Sequence, residues 1–399
     1  MRPVSVVLVS LASALLGALA ALGIGSAAGW VGDTDTVIAG TPAPRGEGET
    51  STTARSPAAP LVGDEFEPAE IYAARSDGVV TIYAVFGEEG SDSAGASQGS
   101  GFVVDAEGHV LTNSHVVTTA GEGTAIVRPA SAVFVQFADG DRVRVRVVGH
   151  DPFTDVAVVK VDPVVHALSP VPLGDSDGVV VGEPVAAIGS PFGNESSLTV
   201  GVVSATERSI ASLTSIYNVV DAIQVDAPIN RGNSGGPLFD ARGRVIGINA
   251  QIRSSTGQNE GVGFAIPINA AKRSLDQLVD TGTVRYAYVG VSTTDLTPSL
   301  ARRFDYGVER GAAITLVRPN SPADRAGLRE AEREEEFNGV AFPVGADVIV
   351  AIGGTPVRSA DDVVRLVSDE FSPGETVVFT VVRDGRRRPV AVRLGERPR

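Results

Sequence analysis

The sequence predicts a mainly β protein, with a double β-barrel and then a small α+β domain, preceded by an apolar N-terminal segment. Three observations carry this. Between about Phe66 and Ile268, short β-branched runs recur between Gly, Asp and Pro, among them Gly78–Val85, Val133–Phe137, Val156–Val161 and Val245–Asn249. Regular short strands with turn signals indicate a sandwich or barrel, and about 200 residues of them suit two barrels. The chain from about Tyr286 to Leu394 then mixes strand and helix signatures, and the stretch from Val4 to Val31 carries no charge.

At the N-terminus, Val4–Gly25 is rich in Leu, Val and Ala, with Arg2 before it. A bilayer-spanning helix needs about 20 apolar residues. A cleaved secretory signal has a shorter apolar core of about 7–15 residues and a small-residue site, for which Ser26-Ala27-Ala28 is a weak match. Residues 1–31 are therefore expected to form an uncleaved single-pass membrane anchor, with a cleaved signal and secretion as the alternative. Arg2 stays inside and the rest of the chain lies outside the cytoplasm. Residues 32–65 are Gly, Pro, Thr, Ser, Ala and Glu with little apolar periodicity. Such a linker buries too little surface to offset its chain entropy and is expected to be disordered.

Residues 66–283 form the barrel domain, closed by a helix over Asn269–Thr281 whose apolar face is Ala271, Leu275 and Leu278. Residues 284–399 form the second domain. Asp347–Ile352, Thr376–Arg383 and Pro389–Leu394 read as strands, and Asp384-Gly385 marks a hairpin between the last two. Ser359 and Asp362 stand at capping-box spacing and open a helix to about Ser368. The charged run Ala331–Glu336, inside an insertion Arg329–Pro343, reads as a solvated loop.

Composition narrows the function. The chain has 399 residues, a net charge of −15 and no cysteine. An acidic balance argues against a nucleic-acid surface. Without cysteine there are no disulfides, no thiolate chemistry and no Cys-based zinc site. No metal and no cofactor are expected.

The chemistry centres on Gly232-Asn233-Ser234-Gly235-Gly236-Pro237. A glycine-rich turn aims backbone N–H groups beside a serine, as stabilisation of a tetrahedral oxyanion requires. The serine needs a base held by a carboxylate. His115, after Thr112-Asn113-Ser114, and Asp155, at the head of an apolar strand, lie upstream. The order His115, Asp155, Ser234 is that of chymotrypsin-type enzymes. Gly232-x-Ser234-x-Gly236 also fits the α/β-hydrolase elbow, but that order places the histidine last. All four histidines, His109, His115, His150 and His166, precede Ser234. Singly, each triad residue could be an ordinary turn residue; together they specify a catalytic triad.

The segments around these three residues resemble the trypsin-like HtrA/Deg serine proteases. Asn230–Pro237 and Gly263-Phe264-Ala265-Ile266-Pro267 are similar to that family at the same relative places, and the resemblance covers about Pro68 to Leu394. It implies a chymotrypsin-like double β-barrel of two six-stranded barrels with the triad in the cleft, followed by one PDZ domain. It further implies an oxyanion hole at Gly232, Asn233 and Ser234, with the N–H groups of Gly232 and Ser234 as donors and Asn233 setting the turn. Asn249, Ala250 and Gln251 would align the substrate backbone, and Arg253–Val262 would line a pocket for small aliphatic residues. Tyr288-Val289-Gly290-Val291 resembles the PDZ carboxylate loop, Ser321–Leu328 resembles a further PDZ segment, and Ala360–Ser368 would be the groove's other wall. The implied protein is an extracytoplasmic endopeptidase acting on misfolded or regulatory proteins, binding peptide C-termini and assembling as a homotrimer. The rivals are a catalytically idle chaperone or PDZ-type binding protein, and an esterase on the same fold.

Overall fold

The structure is a computed structural model and describes residues 66–87, 95–119, 127–190, 197–230, 232–252 and 260–398. The expected anchor (1–31) and linker (32–65) lie outside these residues. Among the described residues, no helix is long and apolar enough to cross a membrane.

After a short helix Pro68–Arg75 come β1 (Val79–Phe86), β2 (Gly95–Val103), β3 (His109–Thr112), β4 (Ala132–Gln136), β5 (Arg142–Asp151) and β6 (Val156–Lys160). They close an antiparallel barrel in the order β1-β2-β3-β6-β5-β4. A second closed barrel has the order β10-β11-β12-β9-β8-β7. Its strands are β7 (Pro184–Gly189), β8 (Ser197–Ala211), β9 (Asn218–Val225), β10 (Pro237–Phe239), β11 (Val245–Ile252) and β12 (Gly263–Pro267).

The pattern of each strand follows from what lies on its two faces. In β5, Arg142, Arg144 and Arg146 alternate with Val143, Val145 and Val147, and only the valines pack on the first barrel's core. β6 is apolar from Val156 to Val159, where both faces are buried, and only Lys160 at its end is polar and half-buried. Val156 and Val158 join the cluster between the barrels, while Ala157 and Val159 fill the barrel interior. β7 divides likewise, with Ala186 and Ile188 on one side and Val185 and Ala187 on the other. Side chains alternate between faces with a period of two, so a strand between two cores must be apolar at every position.

The helix Ile268–Thr281 ends on Gly282, which takes the left-handed conformation (φ 74°) and donates its N–H to the Leu278 carbonyl. Its buried face is Ile268, Ala271, Ser274 and Leu278; the polar member, Ser274, has a partner described below.

The C-terminal part contains β13 (Ala287–Tyr288), β14 (Val291–Leu296), β15 (Gly311–Val317), β16 (Arg333–Phe337), β17 (Val340–Val344), β18 (Val348–Ile352), β19 (Thr355–Pro356), β20 (Thr376–Arg383), β21 (Arg386–Arg393) and β22 (Gly395–Glu396). The main sheet runs β14-β15-β18-β20-β21, with β19 paired to β18, and β13 pairs with β22. The capping box is formed: Ser359 Oγ accepts from the Asp362 N–H, and Asp362 Oδ2 accepts from the Ser359 N–H. The helix it opens, Ala360–Glu370, runs two residues past the expected end. Asp384 and Gly385, both at positive φ, turn β20 into β21.

One expectation is corrected. The insertion is not an open loop but a hairpin, β16 paired with β17. Asn338 and Gly339 both take positive φ (53° and 76°), as a tight two-residue hairpin turn requires. Phe342 is buried against Tyr306 and Leu296, which anchors the hairpin despite the run of glutamates on β16.

Candidate active site

Sheet pairing brings two distant segments together. Thr112 of β3 pairs with Ala157 of β6, so the residues just beyond each strand end, 113–115 and 155, meet at one end of the barrel. His115 sits in a one-turn helix, Ser114–Val117. The Asp155 carbonyl accepts from the Ser114 N–H (3.1 Å) and Asn113 Nδ2 (2.8 Å). Its carboxylate accepts from the His115 N–H at Oδ1 (2.9 Å) and from His115 Nδ1 at Oδ2 (2.7 Å). With Nδ1–H committed to the carboxylate, Nε2 is left as the acceptor. Asp155 is 3% exposed and takes φ 58°, a left-handed conformation that aspartate adopts more readily than most residues. Burial alone would lower the His115 pKa, but the charge and hydrogen bond of Asp155 outweigh it and leave it above its ordinary value of 6.5.

Ser234 stands in the turn before β10. Gly232 and Gly235 have φ 103° and 86°. The Asn233 N–H donates to Asn230 O (3.0 Å), Gly236 N–H to Asn233 O (2.9 Å) and Gly235 N–H to Asn249 O (2.8 Å). A Cβ on Gly235 would fall 2.2 Å from Ser100 O and 2.3 Å from Thr112 Oγ1; space as well as φ demands glycine there. Asn233 thus spends its N–H inside the turn, whereas the N–H groups of Gly232 and Ser234 have no partner among the described residues. That division fits the expected roles of two donors and one turn-setting residue.

The Ser234 hydroxyl donates to Ala250 O at 3.0 Å. Ala250 is available because β11 bulges against β12 between Asn249 and Gln251. Of the three residues expected to align substrate, Ala250 meets the serine. The Asn249 side chain is fully buried and donates to Pro237 O (3.1 Å), and Gln251 donates to Ala211 O (3.1 Å). Within the expected pocket loop, residues 253–259 lie outside the described residues.

Two supporting residues escaped the sequence reading. Ser100 on β2, fully buried, donates through Oγ to Gly232 O (2.6 Å) and accepts from the Ser190 N–H (2.9 Å), while its own N–H donates to Ser234 O (2.8 Å). It pins the serine turn to the first barrel. Gly99 and Gly101 on either side were the only hint in the chain. Asp151, also fully buried, accepts from the Phe153 N–H (3.0 Å), Thr154 Oγ1 (2.5 Å), Ser274 Oγ (2.8 Å) and Tyr286 OH (2.5 Å). It braces the turn that ends in Asp155. Burial, and then the Asp151 charge, raise the Tyr286 pKa well above its ordinary value, so its hydroxyl stays a donor. No local pattern distinguishes Asp151 from a turn residue.

Of the other histidines, His150 Nδ1 lies 3.4 Å from Ser114 Oγ, beside His115. His109 Nδ1 lies 2.6 Å from Asp105 with Lys160 at 3.2 Å from Nε2, and His166 stacks on Phe137 beside Asp139. Among the described residues, no cluster of acidic or histidine side chains could hold a metal.

In the C-terminal part, Tyr288 lies on β13, Val291 opens β14, and Gly290 turns between them at φ 86°. Val289 O accepts from the Ala323 N–H and Gly290 O from the Arg318 N–H, both at 2.9 Å. A Cβ on Gly290 would meet Ser321 Cβ at 2.2 Å. Ser321–Ala326 therefore clamps this loop. β14 is a terminal strand of its sheet, and the Ala360 N–H at the start of the helix Ala360–Glu370 donates to Asp295 Oδ1 on it (2.7 Å). An edge strand beside a helix is the geometry in which a peptide adds as a further strand.

Residues 99–248 match the trypsin-like peptidase domain, and residues 287–394 match the PDZ domain. The chain is 40% identical over 302 residues to a probable periplasmic serine endoprotease DegP-like of Hahella chejuensis, covering 76% of this chain and 58% of the relative. It is 37% identical over 304 residues to protease Do-like 1, chloroplastic, of Arabidopsis thaliana, covering 75% and 64%. It thus spans less than two thirds of the length of these curated relatives. Among solved structures, an HtrA-type protease AlgW with tripeptide superposes with a TM-score of 0.68 at 32% identity, over 84% of this chain and 98% of that one. The serine endoprotease from Yersinia pestis superposes at 0.59 with 26% identity, over 84% and 100%.

Proposed function

The chain belongs to the HtrA/Deg family of trypsin-like serine proteases, and on that footing we propose that it is an extracytoplasmic serine endopeptidase cleaving misfolded or regulatory proteins. The observation that carries the reading is the Asp155–His115 pair, 2.7 Å apart, in a fold that also holds Ser234 in a glycine turn with the Gly232 and Ser234 N–H groups unclaimed among the described residues.

Catalysis then runs through these residues. The Ser234 hydroxyl turns from Ala250 O to His115 Nε2, which takes its proton as Oγ attacks the scissile carbonyl carbon. The Gly232 and Ser234 N–H groups receive the oxyanion; one such donor is worth about 10²–10³ in rate. His115 returns the proton to the leaving amine, giving the acyl-enzyme, and then activates the water that releases the acid. Asp155 stays ionised, holds the tautomer and stabilises the imidazolium.

Residues 66–283 serve as the protease domain and 284–399 as the PDZ domain. The PDZ domain takes peptide C-termini at Tyr288–Val291 and along β14. Residues 1–31 anchor the chain in the membrane and 32–65 space the protease from it. The periplasmic naming of the Hahella relative supports the outward placement, and the family resemblance supports a homotrimer. The test is casein degradation by the purified chain beside its Ser234→Ala variant, with cleavage expected only from the parent.

A second reading draws on one contact. The Ser234 hydroxyl donates to Ala250 O, as it would in an idle binding protein. Labelling with a serine-directed fluorophosphonate, with and without C-terminal peptides, decides: no labelling in either state favours the binding protein.

A further inference from the structure

The strand β22 pairs with β13 in a two-stranded sheet apart from the main one, Tyr288 opposite Gly395 and Ala287 opposite Glu396. The next residue, Arg397, donates its N–H to Tyr286 O (2.9 Å) and its Nη2 to Ser368 Oγ (2.8 Å) on the helix Ala360–Glu370. Its guanidinium carbon lies 5.1 Å from the ring centre of Phe153, 5.0 Å from Tyr217 and 5.2 Å from Tyr286. Phe153 also meets Tyr217 and Tyr286 edge to face. Arg397 Nε is buried with no hydrogen-bond partner among the described residues, so the aromatic faces stand in for an acceptor.

Phe153 is two residues before Asp155. The turn between them holds Asp155 at positive φ, a conformation that persists only when its surroundings over-determine it. Asp151 and its donors hold one side of that turn. Arg397, over Phe153, holds the other. Tyr286 serves both, because its hydroxyl bonds Asp151 while its ring and carbonyl bind Arg397.

We infer that Arg397 is a positioning residue for the proposed triad: caged by Phe153, Tyr217 and Tyr286, it ties the chain just beyond β22 to the turn that aims Asp155 at His115. The role rests on the serine-protease reading only for its kinetic consequence; the effect on His115 exists whether or not substrate is turned over.

The experiment compares the full chain with Arg397→Ala, Arg397→Met and Arg397→Lys. Small misplacements of reacting groups are costly, so Arg397→Ala and Arg397→Met lower kcat for a peptide substrate, and the rate of fluorophosphonate labelling of Ser234, by about five- to tenfold, with KM within about twofold. Arg397→Lys, which keeps a cation for the cage, recovers most of the loss. In parallel, imidazole NMR resonances follow the pKa of His115, expected to fall in Arg397→Ala and Arg397→Met as its hold on Asp155 loosens. An unchanged His115 pKa and kcat in folded Arg397→Met, with only thermal stability reduced, overturns the inference. A parent that neither labels nor cleaves refutes the protease reading instead, and the His115 titration still decides the role of Arg397.

Discussion

His115 and Asp155 show how much rests on two side chains. Nδ1–H is committed to a buried carboxylate, so Nε2 is the basic nitrogen, and the Asp155 charge raises the His115 pKa against the effect of burial. Only neutral His115 accepts the serine proton. A raised pKa keeps it protonated to higher pH, so kcat/KM should climb with pH through an apparent pKa above 6.5. Asp155→Asn removes the charge and permits the wrong tautomer; kcat should fall by about 10⁴, and the acid limb should move to lower pH. A pH–rate profile of both proteins reads this directly. These residues were legible because their chain order excluded the other serine-hydrolase arrangement and because glycine flanks Ser234. Ser100 was not legible. Its hydroxyl bonds residues 132 and 90 positions away, and no local pattern records such partners.

Among the elements, strands between two cores were easy to find and hard to interpret. The apolar runs of β6 and β7 announced burial, but only packing assigned alternate residues to the barrel interior and to the seam between barrels. β2 carries Ser100 into that seam. Ser100→Ala removes the buried hydroxyl that bonds Gly232 O and the Ser190 N–H, at a cost of about 1–3 kcal/mol. The serine turn should loosen with it. Denaturant unfolding should show the lost stability, and kcat should fall about tenfold or more while casein still binds. The hairpin β16–β17 teaches the converse. The Asn338-Gly339 turn signal was present, but the glutamates of β16 masked it, because charge density reads as solvation until Phe342 is seen to be buried.

Across the whole molecule, the barrels and the C-terminal part meet through charges. Arg273 pairs with Asp369 at 2.6 Å, and Arg365, held by Asp362 of its own helix at 3.0 Å, lies 3.8 Å from Asp221. Burial raises the Asp221 pKa to about 6; Arg365 opposes the shift, and Asp369, Glu207 and Asp361 add to it. A carboxyl whose folded pKa is raised binds its proton more tightly in the folded state, so it favours folding as pH falls toward and below about 6. The folded state should therefore be favoured on acidification. Thermal unfolding should show Tm rising from pH 7.5 to 5.5 in the parent. Asp221→Asn, which mimics the protonated group, should flatten that rise and lift Tm at pH 7.5. A lower Tm for the variant at pH 7.5 would mean that the Arg365 attraction outweighs the burial of Asp221.

The sequence by itself determined the β character, the order of His115, Asp155 and Ser234, the glycine turn and the division into a peptidase part and a PDZ part. Each is written in neighbouring residues, through period-two burial, backbone freedom at glycine and capping chemistry. Only the tertiary structure decided that Asp151 braces the acid turn, that Ser100 pins the serine turn, that the insertion folds as a hairpin and that Arg397 lies beside Phe153. Each of these joins residues far apart in the chain, and such contacts exist only once the barrels have closed and the C-terminal sheet has packed.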